Sequence, residues 1–186
     1  MNLKWQKVRY GTAGRKGPGV RVERIMETVI RAVVIGVGAT AVMDLWGLLL
    51  KRGFGVRGLD YAMVGRWLGH MPAARFAHAS IAAAAPVRGE RALGWIAHYA
   101  TGIVFAGLLL AICGADWAHR PTVLPALVTG LATLAAPFLL MQPGMGLGIA
   151  ASKTPRPNVA RLRSLITHLV FGAGLYAAAL VATQAY

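Results

Sequence analysis

Asp44, His98 and His168 are the residues best placed for chemistry, because each is an ionisable side chain set inside a long apolar run. Burying such a group in hydrocarbon costs a few kcal/mol unless it is compensated, so it marks a site for proton exchange, solute binding or cofactor ligation. Asp44 precedes the basic pair Lys51-Arg52 by about two helical turns, and His98 follows Arg91 by about two. His168 follows Arg163 by little more than one turn, and Gln142 ends the third apolar run. Each run therefore places a polar group near one basic face, which makes Asp44, His98, His168 and Gln142 a candidate intramembrane cluster. The plainer alternative is that each His bonds a backbone carbonyl and that Asp44 pairs with a loop arginine.

Other residue types narrow the chemistry. His98 and His168 each stand four residues before a glycine, Gly102 and Gly172, leaving room for a flat macrocycle. Two histidines can supply the axial ligands of a b-type haem. Asp60, Arg66, His70, Glu90, Arg91 and Arg161 are polar candidates in the connecting segments. His70 and His78 are separated by Pro72 and have no close Cys or carboxylate, so no metal site is expected. Cys113 is the only cysteine, which excludes an internal disulfide and any CxxC motif. Phosphate-binding loops, HExxH, GxSxG and paired catalytic carboxylates are all missing from the sequence.

The elements that must hold these residues are membrane helices. Of the 186 residues, 56% are hydrophobic and only 14% charged, and the apolar residues are bunched. About 20 mainly apolar residues cross a bilayer core as a helix. Four stretches qualify, at about 28–50, 93–113, 122–142 and 165–183, which predicts an all-α transmembrane four-helix bundle occupying 26–186. A signal peptide is disfavoured at the first run, since Arg31 interrupts it and apolar residues continue from Val42 to Leu50. Arg31 is expected to snorkel toward the headgroups. Small and polar residues recur every four positions in each run (Gly36, Thr40, Asp44; Gly94, His98, Gly102), and these ridges should face the bundle interior. Between the first two runs, Leu59, Met63, Trp67 and Met71 repeat every four residues and predict a short interfacial helix capped by Asp60. Pro143 and the glycines at 144, 146 and 148 predict a flexible, backbone-exposed stretch after the third run.

The formal charge of +14 is distributed between the apolar runs rather than on one face. That pattern fits anionic lipid headgroups and excludes nucleic acid as the expected partner. Segments 51–92 and 143–163 carry eleven Lys and Arg between them, against Arg31 and Arg120 on the other side. Seven more precede Met26. If Met26 is the natural start, with 1–25 a basic disordered extension, both loops are cytoplasmic under the positive-inside rule.

The halves of the chain also resemble each other. Ile81-Ala-Ala-Ala-Ala-Pro86, Arg91, His98 and Gly102 match Ile149-Ala-Ala-Ser152, Arg161, His168 and Gly172 in register after two inserted residues. A slip of one residue aligns Gly38-Ala-Thr40 with Gly130-Leu-Ala-Thr133 and sets Asp44 opposite Pro137. Two repeated helical hairpins, related by an axis along the membrane normal, are the expectation.

Five segments carry a family resemblance: Gly38-Ala-Thr-Ala-Val-Met-Asp44-Leu-Trp, Tyr61-Ala-Met-Val-Gly-Arg-Trp67, Gly89-Glu-Arg-Ala-Leu-Gly-Trp95, Met141-Gln-Pro-Gly-Met145 and Arg161-Leu-Arg-Ser-Leu-Ile-Thr-His168. Over about 27–182 the chain resembles the bacterial domain-of-unknown-function family 2938. The resemblance implies a small multi-pass inner-membrane protein, and it supplies no activity and no catalytic residues. Three functions remain open. The first is a small transporter or solute- or proton-binding protein. The second is a haem-binding redox module using His98 and His168. The third is a non-catalytic partner subunit in a homo- or hetero-oligomer. Enzyme activity is the weaker expectation.

Overall fold

The structure is a computed structural model and describes residues 18–56 and 58–185. All regular structure among the described residues is helical, with no strand among them. α1 (Pro18–Phe54) runs for 37 residues. α2 (Tyr61–His70) follows, then α3 (Glu90–Cys113). α4 (Val123–Ala132) continues through a π turn at Pro137–Met141 into the single turn α5 (Gln142–Gly144). α6 (Pro157–Ala185) closes the chain. Four segments are long and apolar enough to cross a membrane: Arg21–Phe54, Glu90–Cys113, Val123–Gly144 and Pro157–Gln184.

The first and last helices extend beyond the apolar runs that predicted them, because hydropathy locates only the part crossing hydrocarbon. Both open on a proline, whose fixed φ suits a first helical turn and whose missing N–H costs nothing there. The extension expected over 1–25 lies outside the described residues as far as 17. From Pro18 onward the chain is helical and continuous with the first span.

Close glycine crossings set the packing. Gly36 of α1 meets the backbone of Gly102 and Ile103 on α3, with a Cβ position only 2.5 Å from Ile103 Cα. Gly130 of α4 meets the His168 carbonyl and Gly172 of α6 in the same manner, at 2.5–2.8 Å. Between the two pairs, Gly38 of α1 faces Ala178, and Gly174 of α6 faces Ala39. Ile35, Leu109 and Leu175 are fully buried at the centre, and Phe105 of α3 reaches Phe171 of α6 at 6.3 Å between ring centroids. The small-residue ridges thus face inward as expected, while the outer surface stays apolar. Ile112 is 81% exposed and Val181 71%, an exterior suited to lipid rather than water.

Pro137 explains the interruption of the third span. Its ring lacks an N–H and crowds the carbonyl four residues earlier, so the ladder loosens into turns at 133–134 and then a π turn. The stretch that follows is packed, contrary to the expectation of a flexible segment. Gly144 lies against the Trp67 indole, and Gly146, at φ +89°, lies against the carbonyls of His78 and Ala79. His78 N–H donates to Gly144 O at 2.9 Å, and Ile81 N–H to Met145 O at 3.1 Å. The glycines permit close approach of backbone, and the two long connections form one layer on one side of the bundle.

Arg31 also departs from its expected role. It is 5% exposed and faces inward, with Nε donating to Glu27 Oε1 at 2.9 Å. His119, on the turn after α3, lies 3.3 Å from the same carboxylate oxygen. The half-exposed Glu27 carboxylate, one helical turn away, is thus shared by the buried Arg31 and the half-exposed His119, an arrangement that hydropathy counting does not register.

Candidate functional site

Asp44 and His98 come together. Asp44 lies on the C-terminal half of α1, and His98 lies on α3 one turn before the Gly36–Gly102 crossing that brings these helices close. His98 Nε2 is 2.9 Å from Asp44 Oδ1. Tyr99 donates its hydroxyl to Asp44 Oδ2 at 2.9 Å. Tyr61, the first residue of α2, places its hydroxyl 2.9 Å from His98 Nε2 and 3.4 Å from Asp44 Oδ1. Trp95 closes one side, with its ring centroid 4.4 Å from that of Tyr61.

α2 is positioned for this role by two glycines. A Cβ on Gly65 would overlap the Glu90 carbonyl, one on Gly94 would overlap the Tyr61 carbonyl, and Gly69 lies against Val87. The order of these contacts makes α2 antiparallel to the start of α3, with its N-terminus aimed toward His98. Asp60 caps that end, Oδ1 accepting from Ala62 N–H at 2.9 Å. Arg66 fixes the helix to the loop behind it. Its guanidinium makes a two-point pair with Glu90 at 2.8 Å on each arm, and Nη1 faces the carbonyls of Ile81, Ala82 and Ala84 at 3.2–3.4 Å. The hydrogen bond to Glu90 raises the Arg66 pKa still further above its already high value. Arg66 and Glu90 are thus structural anchors.

Counting donors assigns the protons. A carboxylate on Asp44 accepts from Tyr99 on one oxygen and from His98 and Tyr61 on the other, which requires His98 in the Nε2–H form. Burial, and then the Asp44 charge, push the Tyr61 phenol well above its usual value of 10, so it remains a donor across the working range of pH. His98 is almost enclosed, its side chain 10% exposed, whereas Asp44 keeps 22% of its side chain open. The partly open edge of the group is therefore on the Asp44 side.

The four-residue cluster expected from depth alone divides into parts. His168 lies in a different hydrogen-bond set, with Nδ1 2.9 Å from Thr133 Oγ1. Thr133 spends its own proton on Gly130 O at 2.6 Å, so His168 is the donor and carries its proton on Nδ1. Gln142 is buried, and its Oε1 has no hydrogen-bond partner among the described residues. Matching depth brings residues together only when their helices also turn matching faces toward each other. Of the loop candidates, His70 pairs with His78 at 3.1 Å, while Arg161 is exposed and donates to Ala150 O and Asn158. Arg91 is exposed.

Tyr61, Tyr99 and Trp95 were missed as site residues. Trp95, His98 and Tyr99 have the i, i+3, i+4 spacing of a single helix face, a signal present in the sequence. Tyr61 gave no comparable signal, because its role depends on α2 folding back along α3.

Four helices long and apolar enough to cross a membrane, with Asp44 and His98 paired between the first two, have the architecture of a multi-pass membrane protein. The chain matches the family described as protein of unknown function (DUF2938) over residues 33–182, and it belongs to that family. No curated protein and no solved structure matches it.

Proposed function

We propose that the chain is a small transporter or solute-binding protein of the bacterial inner membrane, working through proton exchange at Asp44 and His98. The observation that carries this reading is the Asp44 carboxylate, set within an apolar span and met by His98, Tyr99 and Tyr61. A proton added to Asp44 would remove the charge that holds the imidazole and both hydroxyls. A change of protonation then loosens α1, α2 and α3 together. Haem ligation through His98 Nε2 would displace Asp44 and Tyr61, which favours the proton reading. In the same picture, segments 51–92 and 143–163 face the cytoplasm, as their excess of basic residues favours.

Two tandem hairpins are part of the proposal. Supporting them, the Gly36–Gly102 crossing has its counterpart in Gly130–Gly172, although the matched turns Ile81–Ala83 and Ile149–Ala151 differ, the second carrying Ala150 and Ala151 at positive φ. The first hairpin alone carries α2 and the acid–base pair.

The test is Asp44→Asn in protein reconstituted into vesicles carrying a pH-sensitive dye. Wild-type vesicles should collapse an imposed proton gradient, or show solute-driven proton movement in a metabolite screen, and the variant should not. Identical traces for wild type and variant, with both proteins folded, would refute the reading.

A further inference from the structure

We propose that His70 and His78 form a binding site for a borderline divalent transition-metal ion, of the Zn²⁺, Ni²⁺ or Cu²⁺ class. The sequence gives little sign of it, since the two residues are separated by Pro72 and a 3₁₀ turn. The fold reverses the chain there, with Ala74 at φ +57°, and brings His78 back onto the end of α2.

The geometry of the rings carries the inference. His70 Nδ1 and His78 Nε2 are 3.1 Å apart. Adjacent nitrogens on one ion, each at about 2.05 Å from it, stand roughly 2.9–3.4 Å apart at bite angles near 90–110°. The ring centroids are 4.9 Å apart and the planes 64° from parallel. Two imidazoles bound side by side to one ion, with nitrogens 3.1 Å apart and centroids ~1.15 Å behind them, would hold those centroids about 4.8 Å apart. A head-on N–H···N bond of 3.1 Å would set them at about 5.4 Å. The rings are therefore tipped off the head-on line, at the separation that two imidazoles on one ion would have.

The His70 tautomer agrees with this, while His78 Nδ1 is buried without a hydrogen-bond partner among the described residues. His70 Nε2 lies 2.9 Å from Ala85 O, which can only accept, so that nitrogen carries the proton and Nδ1 presents its lone pair. A carbonyl holding the far N–H of an imidazole is the usual support of a metal-ligating histidine. Among the described residues no group of three or more His, Cys, Asp and Glu forms a metal cage. The pair thus supplies two positions and leaves the others to water, so binding is exchangeable and selects ions that favour imidazole over those that favour oxygen. An ion here would tie the end of α2 to the loop whose His78 N–H bonds Gly144, and so stiffen the layer that positions Tyr61.

The experiment uses full-length, tag-free protein in detergent, titrated with Zn²⁺ by calorimetry and with Cu²⁺ by electron paramagnetic resonance. Wild type should bind about one Zn²⁺ per chain and show nitrogen hyperfine structure from two imidazoles, while Mg²⁺ gives no heat. His70→Asn and His78→Gln should each weaken Zn²⁺ by at least ~10-fold, and His119→Gln should not. Unchanged affinity in both variants, or a copper spectrum lacking two nitrogen ligands in wild type, overturns the proposal. The spectrum of the wild type decides the matter even if a variant fails to fold.

Discussion

The same substitution, glycine to alanine, should have opposite effects at Gly94 and Gly47. Both residues lie within long helices, where alanine is the better helix former by ~0.5–1 kcal/mol. At Gly47 nothing lies within 4 Å of the new methyl, so Gly47→Ala should gain about that amount. At Gly94 the methyl would overlap the Tyr61 carbonyl, with Gly65 N 3.1 Å away. A backbone carbonyl cannot rotate aside as a side chain can, so α2 must move bodily away from α3. Overpacking of this kind costs ~1–3 kcal/mol, and a backbone-on-backbone clash belongs at the upper end. A loss of about 3 kcal/mol corresponds to a fall of roughly 6–12 °C in the melting temperature for a chain of this size. Retreat of α2 also withdraws the Tyr61 hydroxyl from Asp44 and His98, so proton exchange should change along with stability. Gly65→Ala strains the same crossing, and because one retreat relieves both methyls, the double variant should cost less than the sum of the singles. Circular-dichroism melts in detergent measure all four variants. A Gly94→Ala protein melting with wild type would show that α2 does not pack on α3 in this way.

Three further outcomes follow from the same geometry. Tyr61 should ionise late, so absorbance at 295 nm should show one tyrosine protonated after the exposed phenols have titrated. Since its folded pKa is raised, its contribution to stability is full below about pH 10 and declines as pH rises toward the folded value; Tyr61→Phe should remove that alkaline decline. Arg66→Lys keeps the charge but loses the two-point pair with Glu90 and the carbonyl contacts, so protease cleavage between residues 75 and 89 should accelerate; an unchanged rate would contradict the anchoring role. Cys113, exposed at the end of α3 away from the basic loops, should react with a membrane-impermeant maleimide from the periplasmic side only; labelling from the cytoplasm would invert the proposed orientation.

Much of the architecture was legible because lipid imposes a simple rule. Length and apolarity alone located four spans, and the four-residue recurrence of Gly, Ala and Thr identified the faces that meet. Asp44 and His98 were legible for a related reason, since a charge inside an apolar run demands a partner. Three things were not. The turning back of α2 along α3 depends on Gly65 and Gly94, 29 positions apart, matching each other, and no local pattern encodes that pairing. Arg31 pairs with a Glu27 carboxylate that also meets His119, nearly 90 residues distant, and no local pattern announces that second contact. His168 shares depth with His98 but not azimuth, and azimuth follows from which helices pack together.

On the proton-exchange proposal, that last difference makes His98 the working histidine and His168 a supporting one. His98 lies 2.9 Å from a carboxylate, which would couple its protonation to that of Asp44. His168 donates to a threonine oxygen whose own proton is committed to Gly130, and neither partner titrates. On the tandem-hairpin reading, the position matching Asp44 is Pro137, which opens the π turn instead of supplying a charge. His98→Gln should therefore abolish the proton-dependent signal in vesicles. His168→Gln should leave it intact and lower stability by about 1 kcal/mol, the worth of one buried hydrogen bond. If instead His168→Gln silences the protein and His98→Gln does not, the second hairpin carries the chemistry and the Asp44 cluster is scaffolding.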